Sequence, residues 1–218
     1  MSIILQIETS STNTSVALAK DGKILSYKEQ DSSGYSHEKL LHPFIEEVLQ
    51  LAKIEFSQIE AIAVGMGPGS FTGLRIGVAA AKGLCFALDI PLIAIPTVEL
   101  LARQVSVNVD RIIPIIDARR MEVYTAVYDG EYKALEATTA MILDEKSFED
   151  IEDLHLVFVG SGAKKLMDLK SFKSAQFLSE ALPSALEMTM PALERFKTKS
   201  WEDTAYFEPF YLKDFKPN

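Results

Sequence analysis

The chain has 218 residues, 48% of them hydrophobic, enough to bury one sizeable core or two small ones. Its 31 acidic residues against 22 basic ones leave a net charge of −9, which argues against a cationic surface and against autonomous, high-affinity nucleic-acid binding. A single cysteine, Cys85, excludes an internal disulfide framework, and the opening run Met1–Glu8 has no basic stretch and meets an acid too early for a signal peptide, so the expectation is a soluble cytoplasmic globular protein.

Ile3 to Ile7 is a short apolar run suited to a buried strand, and Glu8 ends it. After a polar loop, Thr14 to Lys20 and Lys23 to Glu29 flank Asp21-Gly22, a pair whose tolerance of positive φ marks a hairpin turn. A helix over Ser36 to Leu51 carries Leu40, Leu41, Phe44, Ile45, Val48 and Leu49 as an amphipathic stripe, with Pro43 expected to kink it or reset its start. A strand at Ala61–Gly65 then enters the densest feature of the chain, Gly65-Met66-Gly67-Pro68-Gly69-Ser70-Phe71-Thr72-Gly73-Leu74-Arg75-Ile76-Gly77. Six of the eleven glycines fall between Gly65 and Gly83. Glycines after a strand permit positive φ, Ser70 or Thr72 is placed to cap a following helix, and free N–H groups there suit an anion. The spacing matches neither a dinucleotide fingerprint nor a Walker loop. Gly73, Gly77 and Ala81 recur every four residues, a small-residue stripe open to two readings: close packing within the chain or a ligand.

The stretch Ile76 to Pro96 is long and apolar enough to span a bilayer, but Lys82 within it would cost about 2.5–3.5 kcal/mol at a membrane centre. It reads instead as a helix to Leu88, a turn at Asp89-Ile90-Pro91 and a strand from Leu92, with no membrane partner. A short helix from Thr97 follows. The opening grammar then returns: Ile112 to Ile116 ends at Asp117, a loop Ala118-Arg119-Arg120 follows, and Met121–Tyr128 and Glu131–Ala137 flank Asp129-Gly130. Leu156 to Val159 again runs into a glycine, Gly160. Asp117 follows Glu8 by 109 positions and Asp129 follows Asp21 by 108. The pattern therefore predicts an α/β protein of two similar units, 1–106 and a smaller 107–218.

Candidate chemistry is sparse. His37 and His42, five residues apart, would point about 140° apart on a helix, and with His155 beside a strand no metal set emerges. Glu8 and Asp117 are the best-matched carboxylates: symmetric packing of the two units would bring them to one cleft for magnesium-phosphate or acid–base work, and otherwise each ends its strand.

The run Gly67 to Gly77 resembles the signature of the TsaB (YeaZ) family of tRNA threonylcarbamoyladenosine biosynthesis proteins. So do Ile7-Glu8-Thr9-Ser10, Ser36-His37-Glu38, Asp117-Ala118-Arg119-Arg120 with Glu122-Val123-Tyr124, and Pro209-Phe210-Tyr211-Leu212, together spanning the chain. The resemblance implies two ribonuclease-H-like units of the actin-like ATPase (ASKHA) fold, with mixed sheets flanked by helices. It implies an accessory role beside the catalytic paralogue TsaD and the ATPase TsaE, in a complex that moves a threonylcarbamoyl group from threonylcarbamoyl-adenylate to the adenosine next to the anticodon. The paralogue's metal-binding histidines correspond here to Thr97 and Leu101, which cannot replace imidazoles. No catalytic residue is therefore expected in this chain; ATP and metal belong to the partners, and tRNA comes through the complex. Thr9, Ser10, Gly160 and Gly162 are what is left of the fold's nucleotide loops, and Asp117-Ala118-Arg119-Arg120 lacks the glycines that wrap a phosphate. The resemblance further implies pairing through a bundle of two helices from each protein. That names Leu41, Phe44, Ile45, Val48, Leu74, Val78, Ala81, Lys82 and Phe86 as the interface, which a homodimer would share. On that expectation, Val78→Arg or Ala81→Arg would separate the partners and leave the fold intact. Two other functions compete: a glycoprotease-like peptidase, and a small-molecule kinase using Glu8 and Asp117.

Overall fold

A computed structural model describes residues 2–32 and 36–213. Ten strands form two five-stranded mixed sheets. In the first, β1 (Ile3–Glu8) is central, with β2 (Asn13–Lys20) and the edge strand β3 (Lys23–Asp31) antiparallel on one side. On its other side lie β4 (Ala61–Gly67) and β5 (Leu92–Pro96), both parallel to it. The second sheet repeats this with β6 (Arg111–Asp117) central, β7 (Glu122–Tyr128) and β8 (Ala134–Ile142) antiparallel, and β9 (Leu156–Val159) and β10 (Ala175–Leu178) parallel. The strand orders β3-β2-β1-β4-β5 and β8-β7-β6-β9-β10 correspond one to one, so the duplication is real at the level of topology.

The helices are less equal. The first unit carries α1 (His37–Ala52) before β4 and α2 (Phe71–Leu88) before β5. The second has only a 3-10 turn at Glu149–Ile151 and the seven-residue α4 (Ala163–Leu169) in those places. A short α3 (Thr97–Ala102) follows β5, and α5 (Thr189–Thr198) lies near the C-terminus. α1 continues unbroken through Pro43, which sits on its exposed side, so the proline neither starts nor ends it. The Asp21-Gly22 turn has the positive φ values its sequence predicts, 49° and 79°. Its expected counterpart, Asp129-Gly130, does not form a two-residue turn. Asp129 instead accepts from the N–H groups of Glu131 and Lys133 and holds a wider loop, so β8 begins only at Ala134.

The units divide differently from the expected break near residue 106. Unit 1 comprises residues 1–97 and 183–218, and unit 2 is residues 98–182. The returning segment is fixed to the first sheet by polar contacts: Asn13 Nδ2 donates to Pro183 O (3.1 Å), Ala185 N to Ser15 Oγ (3.0 Å) and Ser184 Oγ to Glu29 Oε2 (2.7 Å). Further on, Glu202 N donates to Leu92 O at the free edge of β5, and Phe207 enters the core of unit 1 beside Val78 and Leu92. α2 is long and apolar enough to cross a membrane, yet Gly73, Leu74, Gly77, Val78, Ala81 and Cys85 are buried within unit 1.

Candidate functional site

The parallel register Ile7↔Val64 sets Glu8 beside Gly65 at the carboxyl ends of β1 and β4. The glycines that follow form a seam for residues 8–10. A Cβ on Gly65 would strike the Glu8 carboxylate, one on Gly69 would strike Ser10, and Cβ atoms on Gly73 and Gly77 would strike Thr9. Ser70 N donates to Ser10 O (2.7 Å), Thr9 Oγ1 donates to Gly73 O (2.8 Å), and Ser70 Oγ caps α2 by accepting from Gly73 N (3.2 Å). Gly67, with φ of 107° and a cis bond to Pro68, lies against Phe210 O, and Phe210 N donates to Met66 O. Of the two readings of the glycine run, the geometry selects internal packing. Thr9 and Ser10, candidate nucleotide contacts by sequence, are only 2% and 4% exposed, because their own loop is pressed beneath α2. Gly160 and Gly162 are likewise taken up by packing, Gly160 against Leu101 and Ile115 and Gly162 against Ile115 and Val123.

The buried loop has unusual electrostatics. Burial pushes the Glu8 carboxyl above its ordinary range, while hydrogen bonds from Ser10 and Thr9 pull the other way. Its Oε2 has no hydrogen-bond partner among the described residues. His37 is fully buried, and burial lowers its pKa. Its Nε2 lies 2.9 Å from Ser11 O, an acceptor only, so Nε2 carries the proton and Nδ1 accepts from Thr14 Oγ1 at 2.8 Å. Both ring nitrogens are thereby engaged within the chain. His42 and His155 are exposed elsewhere, and among the described residues no group of three or more His, Cys, Asp or Glu could hold a metal. Asp117 differs from Glu8 in every respect: it is exposed and paired with Lys165 at 2.7 Å. The two acids therefore do not form the matched pair a kinase reading needs. The peptidase reading loses its only thiol, since burial pushes Cys85 up to about 12.

A raised carboxyl pKa means the folded state holds the proton more tightly than the unfolded chain does. The contribution of Glu8 is complete below its free value of 4.5 and is lost as pH rises through the folded-state value. Glu8→Gln keeps the shape without the titration. Urea melts across the acid-to-neutral range should show the variant gaining on the wild type as pH rises; parallel curves would refute a Glu8 carboxyl raised by burial.

The helices place most of the expected interface residues inside. Leu41, Phe44, Ile45 and Val48 on α1, and Leu74, Val78 and Ala81 on α2, are between 0% and 8% exposed within unit 1. A helix lying on a sheet buries its most apolar stripe there first, so the stripe visible in the sequence belongs to this chain's own core. Lys82 is also engaged internally, donating to Ala205 O (3.2 Å) and Phe207 O (2.8 Å) and clasping the C-terminal strap. Phe86 alone stands clear, 87% exposed. Around it the outer face of α2 is Thr72, Arg75, Ala79, Gly83 and Ala87. Arg75 lies over the Phe71 ring at 4.0 Å and its Nε donates to Tyr211 Oη at 3.4 Å, so the strap braces the start of the helix. Gly83 is telling, because a Cβ there would meet nothing within 4 Å. Unlike Gly73 and Gly77, its smallness serves no contact within unit 1. Ala79 and Gly83 escaped the sequence reading, which followed the Gly73-Gly77-Ala81 stripe instead.

A model of the family TsaD, tRNA N6-adenosine threonylcarbamoyltransferase, matches residues 32–214. The tRNA threonylcarbamoyladenosine biosynthesis protein TsaB of Escherichia coli K12 is 31% identical across 97% of this chain and 94% of its own. The chain belongs to the TsaB family. A Bacillus thuringiensis protein named tRNA N6-adenosine threonylcarbamoyltransferase is more alike locally, at 40% identity, but over 43% of this chain and 32% of its own. The match to that one transferase is thus local, whereas the match to the E. coli TsaB runs end to end. The solved structure of YeaZ from Pseudomonas aeruginosa superposes with a TM-score of 0.85 at 27% identity, covering 97% of this chain and all of that one. The duplicated mixed sheets are those of the actin-like ATPase fold to which the TsaB family belongs.

Proposed function

We propose that this chain is the accessory, non-catalytic subunit of the cytoplasmic machinery that makes threonylcarbamoyladenosine in tRNA. It pairs with the catalytic paralogue TsaD through the outer face of α2, and TsaE joins the assembly as the ATPase. ATP and metal are handled by those partners, and tRNA is engaged through the complex. One observation carries the reading: α2 exposes a face of small residues around Phe86, with a glycine whose absent side chain serves no contact within unit 1. A helix of the partner can approach closely over Ala79 and Gly83 while Phe86 supplies an aromatic anchor. Thr97 and Leu101, where the paralogue's metal-binding histidines would correspond, are 0% and 1% exposed, which supports a packing role there. A second copy of the chain docking through the same face would be isologous and would compete with TsaD.

The test is reconstitution. The purified chain, TsaD and TsaE are incubated singly and together with tRNA, ATP and threonylcarbamoyl-adenylate, and modified adenosine is quantified by mass spectrometry. The chain alone should yield none and should raise the yield of the other two several-fold at least. Product from the chain alone would refute the non-catalytic assignment, and an unchanged yield on adding it would refute the accessory one.

A further inference from the structure

Among the described residues, two large apolar or aromatic side chains stand further into solvent than any other: Phe86, 87% exposed, and Tyr206, 84%. The backbone beneath the second is fixed from three directions. Asp203 Oδ1 accepts from Ala205 N (2.9 Å) and Tyr206 N (3.2 Å), and Asp203 O accepts from Tyr206 N (3.2 Å) and Phe207 N (2.8 Å), which closes a tight turn. Phe207 roots that turn in the core of unit 1. Lys82 Nζ donates to the carbonyls on either side of the tyrosine, Ala205 O (3.2 Å) and Phe207 O (2.8 Å). A chain that holds an aromatic residue this firmly, yet leaves it outside the core, has met part of the ordering cost of binding in advance.

We propose that Tyr206 is a second anchor for TsaD, so that the C-terminal strap carries part of the contact surface; this rests on the pairing through α2 proposed above. Arg75, Ala79, Lys82 and Phe86 follow one another at helical spacing and form a single stripe along α2. The strap borders that stripe at two points. One is Lys82, beneath Tyr206; the other is Tyr211, whose Oη accepts from Arg75 Nε (3.4 Å) and whose ring lies 5.0 Å from that of Phe71. A helix with its side chains is about 10–12 Å across. One laid over Ala79 and Gly83 therefore overhangs the border at Lys82 and meets Tyr206 there. Tyrosine suits the rim of a contact, with an apolar ring to cover and a hydroxyl that stays solvated or finds a partner. The continuity of the two surfaces decides the occupant: the partner that takes Phe86 is the one that reaches Tyr206. Lys82 acts as a positioning residue, because its ammonium is spent on two carbonyls of this chain and holds the turn in place.

Tyr206→Ala should melt like the wild type and raise the dissociation constant for TsaD roughly 30-fold, read by titration calorimetry. Lys82→Met keeps the stem and removes the clasp. It should weaken pairing about tenfold in the wild-type chain and no further in the Tyr206→Ala chain, since it works through the tyrosine. An equal loss in both backgrounds would make Lys82 a direct contact and overturn its positioning role. Phe86→Asp is titrated beside them. Lost pairing in that variant with wild-type affinity in Tyr206→Ala overturns the strap contact alone, whereas wild-type affinity in both overturns the α2 reading on which it rests. Hydrogen exchange on the unsubstituted pair gives a readout that needs no variant to fold. TsaD should slow exchange at residues 203–207, and unchanged exchange there overturns the proposal. Sedimentation of the chain without TsaD separates the other occupant: a Tyr206→Ala chain that loses only self-association would make the strap a contact between copies and overturn the assignment to TsaD.

Discussion

Val78→Arg should unfold unit 1. Val78 is 4% exposed and belongs to the core cluster that includes Ile62, Val64, Ala81 and Leu92. A guanidinium forced into that cluster has no acid to pair with there, and an uncompensated buried charge costs several kcal/mol. Domains of this kind are held by about 5–15 kcal/mol in total, so the loss consumes much or all of the margin. Circular dichroism with urea titration should show a broadened transition or none. A variant that melts like the wild type but no longer binds TsaD would restore the view, suggested by the family resemblance, that this residue faces a partner.

Phe86→Asp should do the opposite. The ring is almost wholly in solvent, so unit 1 loses no packing and its melt should stay within about 0.5 kcal/mol of the wild type. An aromatic anchor at the centre of an interface is worth about 2–4 kcal/mol, so the dissociation constant for TsaD should rise roughly 30- to 700-fold. A carboxylate left in the contact adds to that. Sedimentation velocity of the mixture reads pairing, and the same run on the chain alone reads any self-association through this face. Unchanged pairing in a folded Phe86→Asp chain would remove α2 from the interface.

These two side chains also mark what a sequence can disclose. The repeated grammar of strand, acid and antiparallel strands survives in both halves, because the central strands must stay apolar and the next residue must leave the sheet. The matching strand orders follow from that. A hydrophobic stripe says that a face is covered but not by what, so Val78 and Phe86 on one apolar helix looked alike. The glycine run was ambiguous for a related reason: the same residues admit a phosphate or a neighbouring loop, and only the placement of Glu8, Thr9 and Ser10 decides between them. The return of residues beyond Pro183 left no pattern to read, since it is fastened by main-chain bonds such as Phe210 N to Met66 O and by the Lys82 clasp. Backbone groups and lone contacts carry no periodicity.

That return has a consequence for the birth of the protein. Unit 2 is one uninterrupted stretch, 98–182, and its residues have all been synthesised before Pro183 is added. Unit 1 is made first and finished last. While the ribosome is still translating, its sheet lacks Phe207, the edge of β5 at Leu92 lacks Glu202, and the Lys82 ammonium has no carbonyls to hold. A nascent chain that has just reached Pro183 therefore holds all of unit 2 but only the first part of unit 1, with α2 able to lie on its sheet and not yet covered by the strap. Ribosome stalling or clipping near residue 200 would leave that intermediate exposed, and it is the form of this protein most in need of a chaperone.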